Sequence, residues 1–162
     1  MRVLVISDTH MRPGLGRDLP EAVWGAAAEA DVILHAGDVV TRDLLDALAD
    51  RAPVHAVLGN NDTSLHGELP EVLDLELGGV ALGMIHDSGP TAGRPARMRR
   101  RFPDADVVVY GHSHIPFAGE GVDGQLLFNP GSPTERRRQP RHTYGLLDLE
   151  GGRVVSHRIV EV

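Results

Sequence analysis

Residues 3–10 read VLVISDTH, a short β-branched and aliphatic run that breaks off into Asp8-Thr9-His10. A run this short and apolar, bounded by a polar turn, is the signature of a strand covered on both faces. The same punctuation recurs along the chain. VILHA (32–36) runs into Gly37-Asp38, VHAVL (54–58) into Gly59-Asn60-Asn61-Asp62, VALGMI (80–85) into His86, and DVVVY (106–110) into Gly111-His112-Ser113-His114. In an α/β sheet built largely of parallel strands, the carboxyl ends line one edge, and that edge is where such folds place ligands. Asp8, His10, Asp38, Asn60, His86, His112 and His114 are therefore expected to converge. Asp8 and His10 are one residue apart, as are His112 and His114, so in extended backbone each pair points the same way and reaches one ion. Oxygen and nitrogen donors in a chain without cysteine suit a pair of borderline divalent metals better than a structural zinc, which usually recruits thiolates.

Between these runs the pattern alternates strand and helix, then changes. Residues 2–7 predict a strand, followed by a glycine-proline loop through Pro13, Gly14 and Gly16. Residues 19–30 predict a helix with Asp18 as its cap, Pro20 in the first turn and an alanine-rich apolar stripe. Strands at 31–36 and 53–58 flank a second helix at 41–50, capped by Thr41 and carrying Leu44, Leu45 and Leu48 on one face. Strands 71–77 and 80–86 meet at Gly78-Gly79, a pair able to supply the positive φ angles of a tight hairpin, so they are expected to be antiparallel. A helix at 93–102, a strand at 105–110, and strands near 115–119, 124–129, 142–149 and 153–160 complete the chain. The halves together predict two packed mixed sheets with helices outside.

At 162 residues the chain has the size of a single domain. No apolar stretch approaches the roughly 18 residues that span a bilayer, and the amino-terminal apolar run, cut by Asp8, does not read as a secretory signal. A cytoplasmic protein with no membrane partner is the expectation. Without cysteine, disulfides and thiolate chemistry are excluded. A formal charge of −7 argues against broad adhesion to nucleic acid. Two arginine clusters, Arg97 with Arg99 to Arg101 and Arg136 to Arg138 with Arg141, read as a solvated helix face and a loop.

Asp8-x-His10, Gly37-Asp38, Gly59-Asn60-Asn61-Asp62, His86 and Gly111-His112-Ser113-His114, in this order, resemble the calcineurin-like metallophosphoesterases. Asn129-Pro130-Gly131-Ser132 and the short length are similar to the small YfcE-type phosphodiesterase subfamily. The resemblance runs from residue 3 to about residue 149. It implies a four-layer αββα sandwich of two mixed β-sheets flanked by helices, with a dinuclear centre. Asp8, His10, Asp38 and His114 would hold one divalent ion, and Asp38, Asn60, His86 and His112 the other, with Asp38 bridging. Manganese is the expected metal, with zinc, iron or nickel as alternatives. Two such cations bring about +4, the two aspartates remove about 2 and a bridging hydroxide about 1, which leaves a centre near +1 facing an anionic phosphate. The implied activity is hydrolysis of small or nucleotide-like phosphodiesters. Two other readings are a nuclease and a protein-interaction scaffold on the same fold. Relatives that assemble allow a homodimer.

Two positions depart from the family's pattern. Many larger relatives carry a histidine directly after the metal-binding asparagine, where this chain has Asn61. Asn61 is then a catalytic and substrate-binding candidate able to donate a hydrogen bond but not a proton. Asp87 follows His86 where relatives often have glycine, and either orients His86 or faces solvent. Arg136 is the arginine expected to contact phosphate. Asp62 is expected to support a turn rather than bind metal, and His35 to stand behind the ligands, while His55, His66, His142 and His157 are not expected as ligands.

Overall fold

Strand β1 (Arg2–Ile6) sends Val3 and Val5 to one face and Leu4 and Ile6 to the other, and all four are fully buried. The reason is layering. The structure, a computed structural model describing residues 1–12, 14 and 18–162, holds two five-stranded mixed sheets packed face to face, with helices on both outer surfaces. The first sheet contains β1, β2 (Val32–His35) and β3 (Val54–Ala56), all parallel and linked by helices α1 (Glu21–Glu29) and α2 (Arg42–Ala49). The second contains β4 (Val72–Leu77), β5 (Val80–Ile85), β6 (Val107–Val109), β7 (Phe117–Glu120) and β8 (Leu126–Asn129), in the order β4-β5-β6-β8-β7. Helix α3 (Arg94–Arg101) connects β5 to the parallel β6. The chain then returns to the first sheet through β9 (Thr143–Glu150) and β10 (Arg153–Glu161), completing the order β10-β9-β1-β2-β3.

Between the sheets lies a core of Val3, Val5 and Leu34 against Leu82, Met84, Val107, Val109 and Phe128. Outside the first sheet, Leu4, Ile6 and Ile33 pack on Val23 and Ala27 of α1 and on Leu44, Leu45 and Leu48 of α2. Outside the second, Val108, Tyr110 and Leu127 meet Met98 and Phe102 at α3. This is the expected αββα sandwich. The β4–β5 hairpin is antiparallel, and Gly78 (φ 57°) and Gly79 (φ 81°) supply its turn. No described helix is long and apolar enough to cross a membrane.

Local details correct several expectations. Asp18 does not cap α1, because Pro20 occupies that position, and the Asp18 carboxylate accepts instead from the Leu19 amide and the Trp24 indole. Thr41 sits at the start of α2 without a side-chain capping bond. The loop assigned to Pro13, Gly14 and Gly16 is described only at Gly14, a turn residue with φ 82°; Pro13 and Gly16 lie outside the described residues. Nor is α3 simply a solvated basic face. Arg97 donates to the carbonyls of Ser88, Pro90 and Ala92, and Arg99 to those of Pro103, Val122 and Asp123, so both guanidinium groups clamp adjoining loops.

Candidate metal centre

The exits of β1, β2 and β3 in one sheet and of β5 and β6 in the other meet at one edge of the sandwich, and each delivers its donors there. His10 Nε2 and His114 Nε2 lie 3.3 Å apart, and His114 Nε2 lies 3.3 Å from Asp8 Oδ1. Asp38 Oδ2 is 3.5 Å from His10 Nε2 and 3.5 Å from His86 Nε2. Asn60 Oδ1 is 3.2 Å from His86 Nε2 and 2.9 Å from His112 Nδ1. All seven sequence-predicted donors are thus brought together. Ligands about 2.1 Å from a tetrahedral ion stand about 3.4 Å from one another, which is the spacing these atoms have.

The way the turns achieve this differs from the extended-strand expectation. Strand pairing ends at Ile6, and Asp8 (φ 56°) and His10 (φ 45°) both adopt left-handed backbone, as do Asp38 (φ 57°), His112 (φ 66°) and His114 (φ 59°). Such conformations are uncommon outside glycine and need surrounding structure to hold them. Here the turns hold each other: the amides of Asp8 and His10 donate to the carbonyls of Gly37 and Asp38, at 2.9 Å each. Buried Asp62 accepts from the amides of Asp38 (2.9 Å), Val40 (2.6 Å) and Gly59 (2.7 Å), which gives it the turn-supporting role expected of it. Gly59 must be glycine for a steric reason, since a Cβ there would stand 2.1 Å from the Asp38 amide nitrogen.

Asn129-Pro130-Gly131-Ser132 ties the two sheets' turns together. The Asn129 amide donates to Gly111 O and Ser113 Oγ, and Ser132 Oγ donates to Asp8 O while accepting from the Glu135 amide. Histidine tautomers follow from the backbone. His86 Nδ1 faces the Ala36 carbonyl at 2.7 Å and His114 Nδ1 faces the Glu135 carbonyl, so each donates there and keeps the Nε2 lone pair for the site. These carbonyls, and the Ser7 hydroxyl that donates to Asp8 Oδ2 at 2.7 Å, were missed in the sequence. A carbonyl has no residue-type signature, and Ser7 reads as the end of a strand.

Burial works against the charged form of Asp8, but the neighbouring His114 and His86 rings and the Ser7 hydroxyl outweigh it and hold this carboxyl below its ordinary range. Asp38 is likewise held low: burial opposes its charge, while His86 and the two bonds from Asn61 favour it. Burial lowers His10. It also opposes protonation of His86, but contact with Asp38 and the charge of Asp8 prevail and raise that imidazole. A cation answers specific needs of this cluster. Asp8 Oδ1 is buried with no hydrogen-bond partner, and the lone pair of His114 Nε2 points into the site, 3.3 Å from His10 Nε2. Two groups, Asp8-His10-His114 and Asp8-Asp38-His86, have donor atoms within 4.8 Å of one another.

Residues 1–152 match the calcineurin-like phosphoesterase superfamily domain. The chain belongs to that superfamily. A probable metallophosphoesterase of Methanothermobacter thermautotrophicus is 39% identical over 139 residues, covering 85% of this chain and 80% of that protein. Among solved structures, Vps29 of Entamoeba histolytica complexed with zinc has a TM-score of 0.78 at 24% identity, covering 100% of this chain and 98% of that one. An archaeal phosphodiesterase has a TM-score of 0.72 at 22% identity with 100% of both chains covered, and at these identities both likenesses concern the fold. As a metallophosphoesterase, the chain has its candidate metal-binding side chains where the two sheets' turns meet.

The remaining residues are placed as follows. Asn61 donates from its backbone to Asp38 Oδ1 (2.8 Å) and from its side chain to Asp38 Oδ2 (2.7 Å). Asp87 does not orient His86: it is exposed and accepts from the Gly89 amide. Arg136 is exposed and donates to the Gln139 carbonyl, whereas Arg137 reaches the His112 carbonyl at 3.4 Å. His35 is fully buried behind the ligands, with Nε2 3.0 Å from Thr9 Oγ1. His142 faces the Pro133 carbonyl and His157 lies exposed on β10.

Proposed function

We propose that this chain is a single-domain phosphodiesterase spanning residues 1–162, cytoplasmic, that hydrolyses small or nucleotide-like phosphodiesters at two divalent ions. The observation that carries this reading is the convergence of seven oxygen and nitrogen donors at ligand spacing. Asp8, His10, Asp38 and His114 form one set; Asp38, Asn60, His86 and His112 form the other. The equal 3.5 Å separations from Asp38 Oδ2 to His10 and His86 support Asp38 as the shared ligand. Manganese is the first choice, with zinc, iron or nickel also compatible with these donors. Two such ions, when bound, supply positive charge for the phosphate oxygens and a shared hydroxide as nucleophile.

The chain's own residues prepare that site. Asp8 and Asp38 remain ionised because their partners favour the charged form, and the Ala36 and Glu135 carbonyls fix the imidazole faces of His86 and His114. Asn61 holds Asp38 through two hydrogen bonds; an amide cannot deliver a proton to a departing alkoxide, so esters with good leaving groups are favoured. The test is hydrolysis of a panel of phosphate mono- and diesters across added metals, with Asp38→Asn as control. Diester turnover that requires metal and Asp38 is expected; metal-independent turnover, or none, refutes the proposal.

A scaffold reading draws on the likeness to Vps29; because the Vps29 of Entamoeba histolytica was solved with zinc, hydrolysis rather than metal binding separates the two readings. Nucleic acid is not the expected substrate of a chain with net charge −7, and a steep salt dependence of single-stranded DNA binding is the result that would reinstate a nuclease.

A further inference from the structure

Strand β2 reads VILH, and its last side chain interrupts an otherwise aliphatic run. Strand alternation sets His35 on the face of Ile33, which packs against α1 and α2, and the imidazole is fully buried. An aliphatic side chain there would need no partner, whereas a polar ring needs a hydrogen bond to offset its lost hydration. That partner is Thr9. His35 Nε2 lies 3.0 Å from Thr9 Oγ1, and Thr9, itself fully buried, stands between the candidate donors Asp8 and His10. The Thr9 hydroxyl also faces the Asp38 carbonyl at 3.5 Å, the same carbonyl that accepts the His10 amide at 2.9 Å. The Thr9 carbonyl accepts from Thr134 Oγ1 at 2.7 Å.

The protons of this relay can be placed. Burial keeps the imidazole neutral at neutral pH by pushing it down to about 4, so the ring carries one N–H. With the proton at Nε2, His35 donates to Thr9 Oγ1 and the hydroxyl donates on to the Asp38 carbonyl, two hydrogen bonds in all. With the proton at Nδ1, the hydroxyl donates to Nε2 alone and an N–H is stranded at an atom that has no hydrogen-bond partner among the described residues. The first arrangement is favoured.

We infer that His35 is a positioning residue: through the Thr9 hydroxyl it locks the Asp8-Thr9-His10 turn against the Asp38 turn and so sets the spacing of the candidate donors on them. The inference rests on the metal-centre reading of the proposed function. Backbone bonds join the two turns, but the relay is what fixes the residue between two left-handed neighbours, Asp8 (φ 56°) and His10 (φ 45°). Asp8 and His10 belong to one proposed donor set only, so loss of the relay bears on one ion more than on the other.

The test is calorimetric titration of manganese into the metal-free protein, with urea unfolding of the same variants. Thr9→Val removes the hydroxyl, His35→Leu removes the N–H, and His35→Gln keeps an N–H for Thr9. Thr9→Val and His35→Leu should each weaken one of the two ions about tenfold, the lower end of what groups supporting metal ligands contribute. The double variant should lose no more than either single one, and His35→Gln should recover most of the loss. Unchanged affinity in Thr9→Val and His35→Leu, strictly additive losses, or a loss that His35→Gln does not recover overturns the inference and leaves the metal reading intact. Equal weakening of both ions also overturns it, because general loosening of the fold gives that result. Should His35→Leu fail to fold, Thr9→Val and His35→Gln decide the matter by the same criteria. A wild-type chain that binds neither manganese nor zinc removes the proposed function as well.

Discussion

Replacing Asp62 is expected to damage the proposed metal centre without touching a candidate donor. Its two carboxylate oxygens accept three amides at 2.6–2.9 Å, and the residue is fully buried. Two of those amides belong to Asp38 (φ 57°) and Val40 (φ 79°), and left-handed backbone at a β-branched valine is especially unfavourable. A hydrogen bond to a charged group contributes about 1.5–3 kcal/mol, so Asp62→Ala should cost about 4 kcal/mol or more after partial relaxation, much of a typical domain's stability. Asp62→Asn is the sharper probe. Its carbonyl oxygen can keep the Asp38 and Gly59 amides, but its NH2 then faces the Val40 amide, donor against donor, for a loss of about 2 kcal/mol. Urea unfolding of the metal-free variant measures that loss, and manganese calorimetry should show affinity reduced about 10-fold or more, as for groups that orient ligands. An Asp62→Asn protein within about 0.5 kcal/mol of wild type, the usual range of neutral surface changes, and with unchanged manganese affinity would refute the argument that this carboxylate shapes the Asp38 turn.

Burial pushes His35 down to about 4 against an ordinary 6.5, so the unfolded chain binds a proton there that the folded chain does not. Between these values stability should rise with pH by up to about 3 kcal/mol from this group; His35→Gln should flatten that part of the metal-free profile, and an unchanged slope counts against it. The depressed Asp8 and Asp38 act lower: their contribution is present above the unfolded value of 3.8 and is lost as pH falls through their folded values. Asn61→His should weaken the dependence of hydrolysis on leaving-group pKa, since an imidazolium can protonate the departing oxygen where the amide cannot; an identical dependence excludes a proton-transfer role at this position. Gly59→Ala and Gly25→Ala form a contrast: the first drives a Cβ onto the Asp38 backbone, whereas the second, in α1, meets nothing within 4 Å. Thermal unfolding should show the first destabilised by several kcal/mol and the second stabilised by about 0.5–1 kcal/mol, and equal effects would contradict the steric account.

The layers were legible because strands buried on both faces have no polar alternation. Val3 and Val5 entering one core while Leu4 and Ile6 enter another is what the uninterrupted VLVI predicts. The donors were legible because each stands at the exit of such a run. The manner of convergence was not. Extended backbone at Asp8 and His10 gave the right partners for the wrong reason, since the turn is left-handed at both residues and is held by Gly37 and Asp38 carbonyls. Arg97 and Arg99 were misread for a related reason: their carbonyl partners lie in loops whose paths are set by tertiary packing, and charge patterning carries no information about those paths.

The concentration of left-handed, non-glycine backbone at Asp8, His10, Asp38, His112 and His114 ties these observations to function. Each such residue costs of order 1 kcal/mol or more and persists only where neighbours determine it. Those neighbours are Asp62 for the Asp38 turn, Asn129 for the Gly111–His114 turn and Ser132 for Asp8, and none of the three is among the proposed donors. The β8 exit thus links a turn of the second sheet to a turn of the first, so the relative position of the sheets bears directly on donor spacing. Seven donors on extended, independent loops would have to be ordered by the ions themselves, at an entropic cost paid on every binding event. Here the cost is met during folding, and the cluster of nitrogen and oxygen donors is already at ligand spacing.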